Sequence, residues 1–291
     1  MEKKSFVLKG NIVYSGENKE LCSIEGGYVV CENGICRGAF EKLPKQYETL
    51  PLTDYGDKII LPGMTDLHVH APQYTFRALG MDLELLDWLN VHTFPEEAKY
   101  VDISYAKRAY GSFVSDLKHS LTTRACIFAT LHREATVALM DLLKEHGVYV
   151  AHCPESNLNL SSGIAPVRKF LEEGIAVGLG SDVAGGSSLS MAKALTLAVQ
   201  VSKMYWRLID EKSKPLTFAE AFYLATAGGG SYFGKVGTFL DGYEFDAVVA
   251  EDHIAKDVRE YTPIQRTERM MYDESTMTIC AKYAAGCACE L

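Results

Sequence analysis

Hydrophobic and polar positions follow one pattern over the first sixty residues and a different pattern afterwards. Residues 6–14 and 27–31 are rich in β-branched and aromatic side chains, which predicts two strands. Asn33-Gly34, a dipeptide typical of a tight hairpin turn, separates the second strand from another short apolar run at 35–37. The beginning of the chain therefore predicts a small β unit.

From residue 59 onward, apolar strands alternate with amphipathic helices. The helices are predicted from apolar residues at three- and four-residue spacing. Predicted strands span 59–70, 123–130, 148–152, 175–180 and 246–250. Predicted helices span 83–89, 105–117, 135–145, 166–172, 191–209 and 218–226. Thr217, followed by Glu220, predicts a capping box at the start of the last helix.

Alternation of strands and helices predicts an α/β fold, here a (β/α)-barrel at 61–244. Only four βα units are found, whereas a closed barrel needs eight units and about 250 residues, so we expect the barrel to be incomplete. The strand at 246–250 is expected to return to the N-terminal β unit. Residues 1–60 and 245–291 are therefore predicted to form a small β-sandwich domain.

Composition and charge narrow the class of protein. The 291 residues carry a net charge of −9 without a concentrated Lys/Arg stripe, which argues against a nucleic-acid partner. No apolar run reaches the roughly 18 residues of a membrane span, and the first residues lack a signal-peptide core. The eight cysteines include no C-x-x-C pair and are expected to be reduced. We therefore expect a cytoplasmic protein.

Candidate metal ligands follow two of the predicted strands. His68 and His70 end the strand at 59–70, and residues two apart on a strand point to the same side, about 7 Å apart along it. Asp182 follows the strand at 175–180. Since strand ends in a (β/α)-barrel share one face, the three side chains are expected to form a metal site of the kind zinc prefers. The alternative role for Asp182 is to cap the turn that follows it.

Several segments of the chain carry a resemblance to a known family. The run PGMTDLHVH at 62–70 resembles the first barrel strand of the amidohydrolase superfamily, and Asp182 matches the aspartate that ends that family's last barrel strand. Within the superfamily, the chain resembles the guanine deaminases. The segments that carry this closer resemblance are HAPQY at 70–74, LDWL at 86–89, TFP at 93–95, HCPESN at 152–157, GLGSDVAGG at 178–186 and GTFLDGYEFD at 237–246.

The resemblance implies a reaction and roles for particular residues. The reaction is hydrolytic deamination of guanine to xanthine and ammonia, a step of purine catabolism, by water that a metal activates. His68, His70 and Asp182 are implied as ligands of zinc, with iron as the other candidate metal. Asp182 is also implied as the catalytic residue that manages protons, and Gln73 and His70 as contacts of the purine. A homodimer is expected.

The resemblance also implies that the middle of the barrel is missing. Guanine deaminases carry two further metal-binding histidines, a proton-shuttling glutamate and a purine-binding arginine, and none has a counterpart in this chain. The family pattern breaks off near 145–147. A missing general acid/base costs about 10²–10⁴-fold in rate. Two hypotheses follow: a deaminase of guanine or a related purine or pterin, or a catalytically inactive or misassembled fragment of one.

Three further features have alternative interpretations in the sequence alone. His152 and His132 each follow a predicted strand, and a structural role is favoured over metal binding. Trp88 and Phe94 are equally suited to wall a purine site or to fill the core. Gly178-x-Gly180 begins like a dinucleotide-binding loop, but Val183 occupies the place of the third glycine, so the strand-end aspartate is the better interpretation.

Overall fold

A computed structural model describes residues 4–128, 149–253 and 259–291 of the chain. The predicted helix at 135–145, the last residues of the strand predicted at 123–130, His132 and the proposed gap near 145–147 lie outside the described residues. The described part is a mixed α/β structure with one large sheet and two smaller strand pairs.

Eleven strands lie in the described ranges. They are β1 (Phe6–Ser15), β2 (Leu21–Glu32), β3 (Ile35–Phe40), β4 (Leu52–Pro62), β5 (Met64–His70), β6 (Thr122–Phe128), β7 (Tyr149–His152), β8 (Ala176–Leu179), β9 (Ala247–Asp252), β10 (Met277–Ala284) and β11 (Cys287–Ala288). Seven of them form one sheet in the order β11-β10-β9-β4-β1-β2-β3, and the others pair as β5-β6 and β7-β8.

Eight α-helices lie in the same ranges. They are α1 (Leu85–Trp88), α2 (Phe94–Glu97), α3 (Ile103–Lys118), α4 (Pro154–Asn159), α5 (Val167–Glu172), α6 (Met191–Leu208), α7 (Phe218–Tyr223) and α8 (Pro263–Tyr272). The capping box predicted at Thr217 and Glu220 is confirmed at the start of α7. None of the helices in the described part of the chain is both long and apolar enough to cross a bilayer.

The described residues divide into two compact units. The sheet unit comprises Met1–Thr65, Leu121–Arg124 and Thr217–Leu291, and the strand-pair unit comprises Asp66–Ser120 and Ala125–Leu216. The domain boundaries predicted from the sequence, at 60–61 and 244–245, stay a prediction.

The sheet unit is built from both ends of the chain. Asn33 and Gly34 adopt positive φ angles of 52° and 80°, as a two-residue hairpin turn requires, and they join β2 to β3. The strand predicted at 246–250 forms β9 and pairs antiparallel with β4, with Ile59 opposite Ala250. The sheet's core consists of fully or almost fully buried side chains, among them Leu8, Ile12, Val29, Ile60, Phe239, Phe245 and Val249.

Arg266 fixes helix α8 to the end of strand β9. Its guanidinium donates two hydrogen bonds to the buried carboxylate of Asp252, at 3.0 and 2.5 Å, and a third to Oδ1 of Asp57 at 2.7 Å. Both Arg266 and Asp252 are buried. A buried carboxylate is tolerated because the planar guanidinium satisfies both of its oxygens.

The single strand predicted at 59–70 is two strands in the structure. It becomes the end of β4 and all of β5, separated at Gly63. A Cβ at Gly63 would fall far inside contact distance of the Thr123 side chain, so glycine is required there. The predicted helix at 83–89 is also wrong in extent, since α1 continues as a π-helical turn over Leu89–Thr93.

The first prediction concerns Arg266. Replacement by alanine leaves the Asp252 carboxylate buried without its partner, and we expect the free energy of unfolding to fall by about 3–5 kcal/mol. Arg269→Ala on the same helix removes an exposed guanidinium that stacks on Tyr261, and we expect a loss of no more than about 1 kcal/mol. Urea denaturation of both variants measures the difference. Equal losses would contradict the role given to Arg266.

The second prediction concerns Lys282, which is only 5% exposed. Burial lowers its pKa to about 8, while in the unfolded chain it keeps its ordinary value of 10.5. The folded state therefore binds fewer protons between these values, and its stability falls as the pH is lowered from 10.5 to 8. We expect Lys282→Met to remove this dependence and to stabilise the protein at pH 7 by up to about 3 kcal/mol.

Denaturation midpoints measured between pH 7 and 10.5 test the prediction, with Lys212→Met, at an exposed position, as the control. If the stability of Lys282→Met and that of the native chain changed with pH in the same way, the prediction would be wrong.

Candidate functional site

Strand β5 and the loop after β8 bring three predicted site residues together. His68 and His70 lie at the end of β5, and Asp182 lies three residues after the end of β8. Two backbone hydrogen bonds join these segments: Asp182 donates its N–H to the carbonyl of His68 at 2.7 Å, and His70 donates to the carbonyl of Val183 at 2.9 Å. The alignment of the two strand ends predicted from the sequence is present in the structure.

The ligand atoms of the three side chains converge on one point. Nε2 of His68 lies 3.0 Å from Nε2 of His70 and 3.1 Å from Oδ1 of Asp182, and Nε2 of His70 lies 3.6 Å from the same oxygen. Ligand atoms at the roughly 2.0–2.1 Å bond length of zinc stand about 3.3 Å apart in a tetrahedron. Two imidazole nitrogens and a carboxylate oxygen at these distances fit such an ion.

Electrostatics favours the protonation states that metal binding requires at two of the three residues. Burial lowers the pKa of His70 to about 4, so its imidazole is neutral at pH 7. Burial is the largest single influence and raises the pKa of Asp182, but the hydrogen bonds with His68 and Ser156 and the charge interactions with both histidines together outweigh it, and the net pKa is lowered. Burial lowers the pKa of His68. The hydrogen bond with Asp182 and the negative charges of Asp182 and Asp66 together raise it by more, so that the net pKa is raised.

Asp66 lies within the PGMTDLHVH motif, but the sequence did not reveal a role for it. It is completely buried, and its carboxylate accepts hydrogen bonds from the backbone N–H of Ser181 at 2.9 Å, the hydroxyl of Ser181 at 2.5 Å and the N–H of His68 at 3.1 Å. Burial raises its pKa to about 6. The sequence did contain a signal for Asp66. It lies on the same side of the strand as His68 and His70, and a charged residue in an apolar strand is rarely buried without a partner.

Two small residues, Ser156 and Gly185, lie close to the carboxylate of Asp182. Ser156 is buried at the start of α4, and its side chain hydrogen-bonds to Asp182, which helps to lower the pKa of that carboxyl. A Cβ at Gly185 would lie 2.6 Å from Oγ of Ser156 and 3.3 Å from Oδ2 of Asp182. A larger residue at 185 would therefore displace one of these side chains.

Phe128 was missed by the sequence reasoning. It is the last residue of β6, and its ring centroid lies 4.5 Å from that of His68 and 5.1 Å from that of His70, almost parallel to the second ring. The side chain is 39% exposed. The aromatic ring therefore packs against both imidazoles.

Gln73 is buried in a turn of 3₁₀ helix over Ala71–Phe76, which directly follows His70. Its amide nitrogen donates to Oε1 of Glu97 at 3.0 Å, and its amide oxygen accepts from the N–H of Ala184 at 3.5 Å. Ala184 lies two residues after Asp182. Gln73 is thus three residues from His70 in the chain and hydrogen-bonded to a residue close to Asp182. Its function as a substrate contact stays a prediction.

The structure decides between the alternatives for Trp88, whereas a role of Phe94 beside a purine stays a prediction. Trp88 is 2% exposed, donates its ring N–H to the carbonyl of Leu79 and packs against Phe76, so it is a core residue. Phe94 is 42% exposed.

His152 ends β7 and is also buried, which lowers its pKa to about 4. Its Nδ1 has no hydrogen-bond partner among the described residues, and the ligand cluster within those residues comprises His68, His70 and Asp182.

Comparison with known proteins places these features in a family. The amidohydrolase family model matches residues 102–279. Among curated proteins, guanine deaminase of Dictyostelium discoideum is 25% identical over 69% of this chain and 75% of its own length, and that of Homo sapiens is 26% identical over 66% and 72%. Guanine deaminase of Escherichia coli is 23% identical over 88% and 86%.

Solved structures agree with the sequence comparison. The structure of guanine deaminase from C. acetobutylicum with bound guanine in the active site has a TM-score of 0.88 and 28% identity, over 98% of this chain and all of that one. Guanine deaminase of E. coli has a TM-score of 0.78 at 21% identity, over 98% and 99%, which supports the fold. The predicted resemblance to guanine deaminases is confirmed by these relatives. Since the family match covers more than half of the chain, this protein belongs to the amidohydrolase family, with its TIM-barrel type of fold.

Proposed function

We propose that this protein is a metal-dependent hydrolase of the guanine deaminase type, acting in purine catabolism. Water replaces the amino group at C2 of guanine, so that a C–O bond forms, the C–N bond breaks, and xanthine and ammonia are released. The observation that carries the proposal is the convergence of Nε2 of His68, Nε2 of His70 and Oδ1 of Asp182 within 3.6 Å of one another. The similarity to a guanine-bound deaminase supports the choice of substrate.

His68, His70 and Asp182 are the proposed metal ligands, with zinc as the first candidate and iron as the second. Neutral imidazole nitrogens and a carboxylate oxygen suit a borderline-soft divalent ion. Zinc held there would supply Lewis-acid activation of water near neutral pH. Because the pKa of His68 is raised, protons compete with a metal for its imidazole, and metal binding is expected to weaken as the pH is lowered.

The side chains around the ligands have roles of their own in the proposal. Asp182 is held in its ionised form by the hydrogen bond from His68, and it is positioned by Ser156, so its carboxylate can accept a proton from the attacking water and return it to the leaving amino group. Gln73 orients the purine, and His70 borders the same space. Phe128 packs against the imidazole pair and supports its position.

The barrel is proposed to lack its middle βα units. The alignment with the Escherichia coli enzyme runs over 394 residues, whereas this chain has 291, so that relative carries more than a hundred positions without a counterpart here. The pairs β5-β6 and β7-β8 are separate sheets in the structure. A homodimer, in which two copies complement one another's open strand edges, follows as part of the proposal.

The remaining features complete the proposal. The substrate is a small purine and not a nucleic acid, in keeping with a net charge of −9. None of the eight cysteines forms a disulfide in the structure, in keeping with the proposed reducing, cytoplasmic location. The small β domain is proposed to be a β-sandwich, and the register shifts in β1, β2 and β10 support this because such irregularities bend a sheet.

The competing hypothesis, an inactive fragment or a deaminase of a related purine or pterin, has less support. The curated relatives named above are guanine deaminases, and the three candidate ligand atoms lie at distances from one another that fit a zinc ion. Direct measurement of metal content and turnover separates the two hypotheses.

The metal prediction concerns the histidine pair. We expect the native chain, loaded with zinc and desalted, to retain about one ion per chain, and His68→Ala to weaken zinc binding by at least about 100-fold, because one of the three protein ligands is lost. Competition with a chromophoric chelator measures the affinity. His119→Ala, at the exposed end of α3, is the matched control and should bind as the native chain does. Equal affinities of the two variants would exclude His68 as a ligand.

The turnover prediction concerns Asp182. We expect the zinc-loaded chain to convert guanine to xanthine, and Asp182→Asn to lower kcat by about 10²–10⁴-fold, because the amide cannot accept the proton. The reaction is followed by the change in ultraviolet absorbance and by an assay of the ammonia released. Asp210→Asn, at an exposed position, is the control for the loss of a carboxylate. The proposed function is wrong if the zinc-loaded native chain produces no xanthine.

A further inference from the structure

The side-chain amide of Gln73 is held at both of its ends. Its Nε2 donates to Oε1 of Glu97 at 3.0 Å, and its Oε1 accepts from the backbone N–H of Ala184 at 3.5 Å. An ionised carboxylate has no hydrogen to donate, and a backbone N–H cannot accept one. The two partners therefore permit one orientation of the amide and exclude the orientation in which nitrogen and oxygen exchange places.

The fixed amide retains one free N–H and one free lone pair. A primary amide carries two N–H donors and an oxygen with two lone pairs, and Glu97 and Ala184 use one of each. The remaining donor is consequently fixed at the nitrogen end of the amide and the remaining acceptor at its oxygen end. A purine edge that carries an oxo group beside an N–H is matched by one order of donor and acceptor and mismatched by the reverse order.

Glu97 has no other partner in the described part of the chain that would explain its placement. Its second oxygen, Oε2, is buried without a hydrogen-bond partner among those residues. The neighbouring Glu96 is different, since it binds Lys99 at 2.6 Å and also accepts from the hydroxyls of Thr75 and Tyr105. Glu96 thus secures the local structure, while the one described hydrogen bond of the Glu97 side chain is to Gln73.

We propose that Glu97 is a positioning residue that sets the amide orientation of Gln73 and thereby the preference for guanine over purines with exchanged oxo and amino groups. The proposal rests on the proposed function, because it assigns to Gln73 the contact with the purine. Glu97 acts through Gln73 and does not itself touch the reacting atoms.

A double-mutant cycle tests this role in the zinc-loaded full chain. We expect Glu97→Gln to lower kcat/KM for guanine by about 10- to 100-fold, mainly through KM, because an amide at position 97 can pair with either orientation of Gln73 and only the longer hydrogen bond from Ala184 then favours the native one. In a Gln73→Ala background the same substitution should have little further effect, because the residue through which Glu97 acts is already gone. Glu84→Gln, an exposed glutamate of the same unit, is the control for the change of charge.

Isoguanine, in which the oxo and amino groups of guanine are exchanged, supplies a readout that a merely structural role would not change. We expect Glu97→Gln to weaken guanine binding while inhibition by isoguanine stays the same or strengthens, so that discrimination between the two falls about tenfold or more. A proportional loss for both purines, or additive effects in the double-mutant cycle, would overturn the proposal.

Nuclear magnetic resonance of the side-chain amide tests the hydrogen bond without turnover. The Gln73 amide signals, identified by their loss in Gln73→Ala, should exchange slowly with solvent in the native chain and faster in Glu97→Gln. Unchanged exchange would overturn the proposal. If the native chain neither converts nor binds guanine, the proposed function fails, and the amide measurement then decides by itself whether Glu97 holds Gln73.

Discussion

The hydrogen bonds of one buried carboxylate, that of Asp66, hold the candidate site together. Asp66 lies in β5, two residues before His68, and its carboxylate accepts both hydrogen bonds that Ser181 offers from the segment after β8. Burial raises its pKa to about 6, so keeping it ionised at neutral pH opposes folding, and the hydrogen bonds from Ser181 and His68 offset this cost. Together with the two backbone hydrogen bonds between these segments, they align His68 and His70 with Asp182.

Much of the fold and of the ligand set follows from local sequence patterns. The turn at Asn33 and Gly34 was predictable because positive φ angles restrict that position to few residue types, and the capping box at Thr217 because its two hydrogen bonds span only three residues. His68 and His70 were predictable for a similar reason, since strand geometry alone places them on one side. Asp182 required the additional assumption that barrel strands end on a common face.

Long-range partnerships were beyond the reach of the same patterns. Ser181 is 115 residues from Asp66, and Asp57 is 209 residues from Arg266, so no local spacing marks either pair. Phe128 was missed because an aromatic residue at the end of a strand is as common in cores as beside functional groups. The division of the strand at Gly63 depends on the close approach of Thr123, a contact that exists only in the folded chain.

The sheet order has a consequence for the sequence of events during synthesis. Strand β4 pairs with β1 on one side and with β9 on the other, and β9 pairs with β10, so β4 has one early partner and one partner that leaves the ribosome late. Until residue 252 has emerged, one edge of β4 with Ile59, Ile60 and Leu61 has no neighbour. The nascent chain thus exposes an apolar strand edge for most of its elongation, and that edge is a natural target for chaperones and for aggregation.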